Sequence, residues 1–480
     1  MQRIVFLTLL LPLPALAQEQ PRNRAAAPET LTYGRFGQVT LYRRSPHPSH
    51  VVLFLSGDGG WNQGVVDMAQ ILAGMDSLVA GISVPHYLRQ ADKADEKCTY
   101  AAADLEMLSK LIQRKLGFPA YVPPVLVGYS SGATLAYAVL VQAPPNTFQG
   151  AISMGFCPDL PLRRPFCPGH GLTAGPGPGG KGFSFLPAKA FENPWIALQG
   201  DADKLCSKDF ARRYTAGVPG AELVMVHDVG HGFSKQARWV PQFKQAFLRL
   251  VGEKTSVRPA GAGDPGAVED LPLVEVPARG TAGDALAVIL SGDGGWAGLD
   301  REVAGALAGR GVPVVGLNSL QYFWTARTPE GAARDLERLL RHYLAAWKRR
   351  QALLIGYSLG ADVLPFLANR LPADLLDRVR LIVLLGPSRS ASFEFHLGDW
   401  LGVGGDPGRP VLPEVRKLNG LPLLCLYGKE EDDSLCPLIV PPLGKAVALA
   451  GAHHFGGRYD AVADLILAEA KAGAARGRTL

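Results

Sequence analysis

Ser358 lies in the pentapeptide GYSLG, Gly356 to Gly360, between the apolar run ALLI and the helix-like segment ADVLPFLANRL. A Gly-x-Ser-x-Gly sequence between a strand and a helix describes a turn so sharp that the serine's neighbours must be small, and it lifts the hydroxyl above the end of a parallel sheet. That hydroxyl becomes an effective nucleophile only when an imidazole takes its proton and a carboxylate orients the imidazole. Downstream, the strand-like run LPLLCLYG leads into KEEDDSLC, and AVALAG leads into AHHFGG. These supply Asp433 as the acid, with Glu431 and Asp432 as alternatives in the same cluster, and His453 as the base, with His454 beside it.

The same constellation occurs twice. VVLFLSGDGGWNQG from Val51 returns as AVILSGDGGWAGLD from Ala287, and VLVGYSSGATLAYAVL from Val125 returns as LLIGYSLGADVLPFLA from Leu353. Ser56 and Ser291 are 235 positions apart and Ser130 and Ser358 are 228 apart, a period that marks duplication of a whole domain rather than a solenoid repeat. Matching D-x-L-C pairs Asp203 with Asp433, and matching H-x-F pairs His231 with His453, so Ser130, Asp203 and His231 form a second candidate triad.

Acyl transfer also needs backbone N–H groups aimed at the developing oxyanion. The expected donors are Leu359, which follows the nucleophile, and Gly292, Asp293 or Gly294 in the SGDGGW turn, with Gly57, Asp58 and Gly59 as their first-copy counterparts. Asp362, four residues past Ser358 where the first copy has Thr134, is a candidate substrate contact or else a buried helix carboxylate paired with a structural partner. Tyr322 and Trp324, which flank Phe323 after a strand, are candidates to line an acyl pocket. Neither a metal nor an organic cofactor is required by this chemistry.

The elements that must position these residues alternate between short β-like runs and helical ones. In the second copy the strands are AVIL, VPVVGL, ALLIG, RLIVLLG, LPLLCLYG and AVALAG, with helices near LDREVAGALAGR, from Pro329 to Trp347, after Ser358 and after Tyr459. Such alternation implies a mostly parallel sheet flanked by helices. The fold expected is α/β, as two tandem α/β-hydrolase domains at residues 31–251 and 285–475, joined by a Gly/Pro-rich linker at 252–284.

Residues 1–17 carry one arginine, an apolar run and the triplet Ala15-Leu16-Ala17, the pattern of a secretory signal peptide. Export would permit disulfides among the six cysteines. Short spacing suggests Cys157 with Cys167 and Cys425 with Cys436, leaving Cys98 for Cys206. No Cys/His spacing typical of a metal site is present. The formal charge of +6 is spread along the chain without a dense basic block, which argues against nucleic-acid binding. No stretch after residue 17 is long and apolar enough to span a bilayer, so a soluble or peripheral protein is expected, its oligomeric state open.

SGDGGW, GVPVVGLNSLQYFW, RTPEGAARDLERLL, GYSLGADVLP and GAHHF together resemble the VirJ/AcvB family of bacterial virulence-associated periplasmic proteins. The resemblance covers roughly Ala285 to the C-terminus, and the preceding half is similar to the N-terminal part of the longer AcvB-type members. It implies a periplasmic hydrolase that releases the amino acid from aminoacylated phosphatidylglycerol, lysyl- or alanyl-, with the anionic phospholipid surface as partner and Ser358 as the lipase-type serine. Other serine esterases, lipases or peptidases would use the same triad, and a non-catalytic periplasmic binding protein is the contrasting expectation.

Overall fold

The computed structural model describes residues 28–190, 192–252, 268–280, 283–395, 408–418 and 420–476. The expected signal peptide and most of the expected linker lie outside the described residues.

The first half runs β1 (Glu29–Tyr33), β2 (Gly37–Tyr42), β3 (His50–Leu55), α1 (Gln63–Ala73), β4 (Ser77–Ile82), α2 (Val84–Ala91), α3 (Ala101–Lys115), β5 (Val125–Tyr129), α4 (Ser131–Gln142) and β6 (Gly150–Met154). It continues through the short strands β7 (Asp159–Leu160), β8 (Ala174–Pro176) and β9 (Phe183–Phe185) to β10 (Trp195–Gly200), α5 (Lys208–Ala216), β11 (Glu222–Val226) and α6 (Gln236–Val251). Its main sheet has the order β1-β2-β4-β3-β5-β6-β10-β11. Near one edge β2 runs antiparallel to both β1 and β4, and all other neighbouring strands are parallel.

The second half runs β12 (Leu273–Val276), β13 (Ala285–Leu290), α7 (Leu299–Gly309), β14 (Val314–Leu317), α8 (Ser319–Tyr322), α9 (Pro329–Ala346), β15 (Gln351–Tyr357), α10 (Leu359–Ala368), α11 (Ala373–Leu376) and β16 (Val379–Leu385). After β17 (Ser390–Ala391) and β18 (Arg409–Pro410) come α12 (Val411–Lys417), β19 (Leu423–Gly428), β20 (Lys445–Leu449) and α13 (Tyr459–Arg476). Its sheet, β12-β14-β13-β15-β16-β19-β20, repeats the first without the outermost strand. Both halves therefore have the α/β-hydrolase architecture.

β12 corrects the expected linker. Leu273–Val276 falls within 252–284 but pairs antiparallel with β14, so the second sheet begins before residue 285. Its run LVEV is too short and too mixed to stand out beside the central strands, because an edge strand needs only one apolar face.

The central strands read as unbroken apolar runs because helices cover both faces. In β3, Val51, Leu53 and Leu55 enter one core layer while Val52 and Phe54 enter the other. β13 splits likewise, with Leu286, Val288 and Leu290 on one side and Ala287 and Ile289 on the other. Each of the valine, leucine, isoleucine and phenylalanine side chains, fully buried, contributes about 1.5–3 kcal/mol.

Three disulfides are formed, Cys98–Cys167, Cys157–Cys206 and Cys425–Cys436. Only the last agrees with the spacing argument. The expected Cys157–Cys167 and Cys98–Cys206 pairs are incorrect, because β7, β8 and β9 form a separate small sheet whose course carries Cys167 away from Cys157. The backbone of Cys167 instead bonds Thr99, beside Cys98.

The halves meet at the C-terminal end of α3. Arg114 donates to the carbonyl of Trp324 at 2.6 Å and to the Glu394 carboxylate at 2.9 Å. Trp324 donates from Nε1 to the Phe118 carbonyl at 2.7 Å, and Tyr121, Leu320, Trp324 and Phe395 form one apolar cluster across the junction. Tyr322 and Trp324 thus depart from the acyl-pocket expectation. Trp324 is buried in the junction, and the buried Tyr322 donates to Asp335 at 2.6 Å, so both side chains serve packing.

Candidate functional site

Both serines adopt the same strained backbone. Ser130 has φ 56° and ψ −121°, and Ser358 has φ 52° and ψ −121°, a region that costs a non-glycine residue about 1–3 kcal/mol. The flanking glycines are required by space. A Cβ at Gly132 would lie 2.1 Å from the Leu55 carbonyl oxygen, and one at Gly360 would lie 2.1 Å from that of Leu290. The start of each helix is pressed against the end of the neighbouring strand, β3 or β13, which leaves no room for a side chain there.

In the first half three side chains from the carboxyl ends of different strands meet. His231 faces Ser130 Oγ through Nε2 at 3.0 Å and donates from Nδ1 to Asp203 at 2.8 Å. Asp203 is buried, and it accepts from Gln199 at 2.9 Å and from the Leu205 and Cys206 amides at 2.9 and 3.0 Å. These bonds compensate the burial of its charge. The Cys157–Cys206 disulfide ties this acid loop to the segment after β6, where Gly155 leaves room for the imidazole. A Cβ at Gly155 would lie 3.2 Å from the His231 ring.

The second half repeats the plan with one change of acid. His453 bonds through Nδ1 to Glu431, and the other Glu431 oxygen accepts from the Gly428 amide at 2.6 Å. Asp433, the expected acid, is exposed and does not make this bond. Glu431 stands three residues past the last residue of β19, as Asp203 stands three past the last residue of β10. Two additional residues before Cys436 shifted the D-x-L-C match, and Cys425–Cys436 is not the counterpart of Cys157–Cys206. Burial opposes ionisation of Glu431, but the bonds from His453 and Gly428 outweigh it and hold the carboxyl below its ordinary value. Among the described residues no hydrogen bond joins His453 to Ser358, and the His453 side chain is 38% exposed against 15% for His231. His454 instead meets the Tyr357 hydroxyl at 3.1 Å, and burial lowers its pKa.

The SGDGGW turns lie against Ser130 and Ser358. A Cβ at Gly57 would be 3.1 Å from Ser130 Cβ, and one at Gly292 would be 3.4 Å from Ser358 Cβ. The remaining motif residues are structural. Ser56 and Ser291 are buried and accept from the Val84 and Ser319 amides at 3.1 and 2.9 Å, fixing the neighbouring loops. Trp61 and Trp296 cover Gly81 and Gly316, where a Cβ would fall 2.0 and 2.1 Å from the indole rings. Ser131 and Leu359 begin α4 and α10, where a helix leaves its first N–H groups without intrahelical acceptors. Leu359, at the start of its helix, follows Ser358, against which the turn carrying Gly292, Asp293 and Gly294 lies.

Asp362 is buried, and its carboxylate accepts from the Ser388 amide at 2.6 Å. Burial raises its pKa well above the carboxylate range, and the Asp293 and Asp433 charges add to the rise. Thr134, its first-half counterpart, likewise bonds the segment after the adjoining strand, at the Cys157 carbonyl. Asp300 was not singled out by sequence. It is buried at the start of α7, and desolvation raises its pKa strongly. Its only sequence signal was an acid at a position where the first copy has Val65.

Asp203, Cys206 and His231 present ligand-type atoms within 4.8 Å of one another. They do not suit a metal, since the Cys206 sulfur is bonded to Cys157 and offers no thiolate.

Among solved structures, the chain is similar to the esterase domain of a Rhodothermus marinus protein, with 16% identity and a TM-score of 0.32 over 46% of this chain and 98% of that one. A lidless α/β serine hydrolase from Xanthomonas campestris matches at 17% identity and TM-score 0.32, over 48% of this chain and 96% of that one. Thermogutta terrifontis esterase 2, phosphorylated by paraoxon, matches at 18% and 0.33, over 50% and 99%. Comparison with curated proteins finds no match. The profile of the bacterial virulence protein VirJ matches residues 49–155 and 284–474, more than half of the chain, and the protein belongs to the VirJ family.

Proposed function

We propose that the protein is a serine hydrolase of the periplasm that cleaves the aminoacyl ester of aminoacylated phosphatidylglycerol, releasing the amino acid and leaving the anionic lipid. The observation that carries the reading is the acid–imidazole pair beside a strained serine, present once in each half. Ser358 attacks the aminoacyl carbonyl, and the Leu359 amide with the Gly292–Gly294 turn receives the oxyanion. His453, oriented by Glu431, takes the serine proton and returns it to the departing glycerol oxygen. Water, activated by the same imidazole, then releases the amino acid. The periplasmic setting is supported by the leader-like N-terminal sequence and three disulfides. Among the described residues no helix is long and apolar enough to cross a membrane.

A second reading, cleavage of simpler carboxylic esters at Ser130, is favoured by the His231–Ser130 bond, which has no counterpart at Ser358. Product identity tests the main reading. Vesicles containing lysyl-phosphatidylglycerol are expected to yield free lysine without fatty acid. Fatty-acid release would establish a lipase instead, and release of neither would overturn the hydrolase reading.

A further inference from the structure

Tyr357 stands immediately before Ser358 as the last residue of β15, and it is buried. Its ring backs the SGDGGW turn, where a Cβ at Gly292 would lie 3.2 Å from it, and its centroid stands 5.1 Å from that of His453. Its hydroxyl meets His454 Nδ1 at 3.1 Å and the His453 backbone carbonyl at 3.5 Å. One phenol thus reaches from the strand that carries Ser358 to the turn that carries the second-half imidazole.

The first half has the ring without this bond. Tyr129 precedes Ser130, with its centroid 5.8 Å from that of His231, but the residue after His231 is Gly232, which has no side chain to offer the phenol. There the imidazole is held between Ser130 and Asp203 and is the more buried of the two. His453 bonds Glu431 and is more exposed, so less packing fixes its ring. The histidine added at position 454 supplies by hydrogen bonding part of what burial supplies in the first half.

We propose that Tyr357 and His454 are positioning residues of the second-half site: with His454 neutral, their bond ties the His453 turn to the residue before Ser358, and protonation of His454 slows the chemistry at Ser358. A phenol carries one proton. It gives that proton to the bare Nδ1 of a neutral His454, whereas a doubly protonated ring donates there itself and turns the phenol's proton to the longer contact, the His453 carbonyl. Protonation also sets a positive charge 6.0 Å, ring to ring, from an imidazole that must become positive when it takes the serine proton. His454 is the member that titrates, because burial, and after it the neighbouring Asp300, Asp293, Tyr459 and Glu431, keep the Tyr357 hydroxyl protonated. At His454, burial and then the His453 charge oppose protonation and Glu431 favours it, with a net lowering that leaves the ring neutral at pH 7. This inference rests on Ser358 and His453 acting as nucleophile and base.

The experiment is time-resolved labelling of the full chain with a small fluorophosphonate from about pH 8 down to about pH 5, with the Ser358 and Ser130 adducts followed separately by peptide mapping. At about pH 7.5, Tyr357→Phe, which keeps the ring, and His454→Gly, which copies the first half, are each expected to slow Ser358 labelling about tenfold, the scale of one hydrogen bond. His454→Asn, which keeps a polar atom near the place of Nδ1 and takes no charge, should recover most of that loss. The wild-type Ser358 rate should fall with acid more steeply than one ionisation allows, and the His454→Asn rate along one ionisation, a difference that a merely structural role would not produce. Ser130 rates should be the same in every variant. An undiminished Ser358 rate in Tyr357→Phe or His454→Gly would overturn the inference, as would an equal loss in His454→Asn and His454→Gly, a parallel loss at Ser130, or a one-ionisation limb in the wild type. Should Tyr357→Phe fail to fold, the limbs of the wild type and His454→Asn still decide. A wild type that forms no Ser358 adduct would remove the nucleophile and the inference together, whereas the expected labelling without lysine release would uphold the inference and count against the lipid substrate.

Discussion

His231 Nε2 stands 3.0 Å from the hydroxyl of Ser130, within the range for proton transfer before any substrate is present. Among the described residues Ser358 has no such bond, and the His453 ring is bonded through Nδ1 to Glu431. Ser130 is therefore expected to react faster than Ser358 with a small fluorophosphonate, by about tenfold for one pre-formed hydrogen bond. Time-resolved peptide mapping of the two adducts measures the ratio. A faster adduct at Ser358 would show that the first-half triad is not the better assembled one.

The acid of the second half is assigned to Glu431 by its bond to His453. In a Ser130→Ala background, Glu431→Gln should lower ester turnover about 10³–10⁴-fold, the scale seen when the orienting acid of a triad is neutralised. Asp433→Asn should change it by less than about threefold, since no charged partner is bonded to it and surface charge effects are small. Steady-state kinetics of the two variants decide between the carboxylates.

The same bond predicts a stability effect with a definite sign. Glu431 has a folded-state pKa below its unfolded one, so its stabilising contribution is complete above about pH 4.3 and is lost as pH falls through the lowered value. Urea midpoints measured from pH 6 down to pH 3 should fall for the wild type in this window. Glu431→Gln should remove that part of the fall, and a parallel pair of curves would contradict the assignment.

The Cys157–Cys206 disulfide joins the acid loop of the first triad to the segment beneath its histidine. Replacing both cysteines by serine should cost about 2–4 kcal/mol of first-half stability. It should also slow fluorophosphonate labelling of Ser130 while leaving Ser358 within about twofold of wild type, because Cys425–Cys436 is the only disulfide of the described second half.

Trp324 fills the junction and donates to the Phe118 carbonyl. Trp324→Ala should cost about 3–5 kcal/mol through the cavity and the unpaired carbonyl. Thermal unfolding is expected to separate into two transitions when this contact is lost. A single unshifted transition would mean that the halves are not coupled there.

Much of this arrangement was legible in the residues. The elbows could be read because GYSSG and GYSLG need glycine on both sides of the serine, a demand that local sequence alone expresses. The central strands could be read because burial on both faces leaves unbroken apolar runs. β12 could not, because LVEV on an edge needs only one apolar face. The acid was misplaced because D-x-L-C follows a cysteine that bonds a different partner in each half, whereas distance from the strand end follows the sheet. Trp324 and Tyr322 looked like pocket aromatics because a short sequence does not distinguish a surface that faces substrate from one that faces the other half.

The most direct test of the central claim is lysine release from lysyl-phosphatidylglycerol vesicles by the wild type, Ser358→Ala, Ser130→Ala and the double variant, all compared at equal folded concentration. Ser358→Ala is predicted to abolish release to within about 10⁻³ of wild type, with Ser130→Ala retaining most of it. Release that survives Ser358→Ala and disappears in Ser130→Ala would contradict the assignment and place the aminoacyl ester at the first-half serine, and release that survives the double variant would remove the serine mechanism altogether.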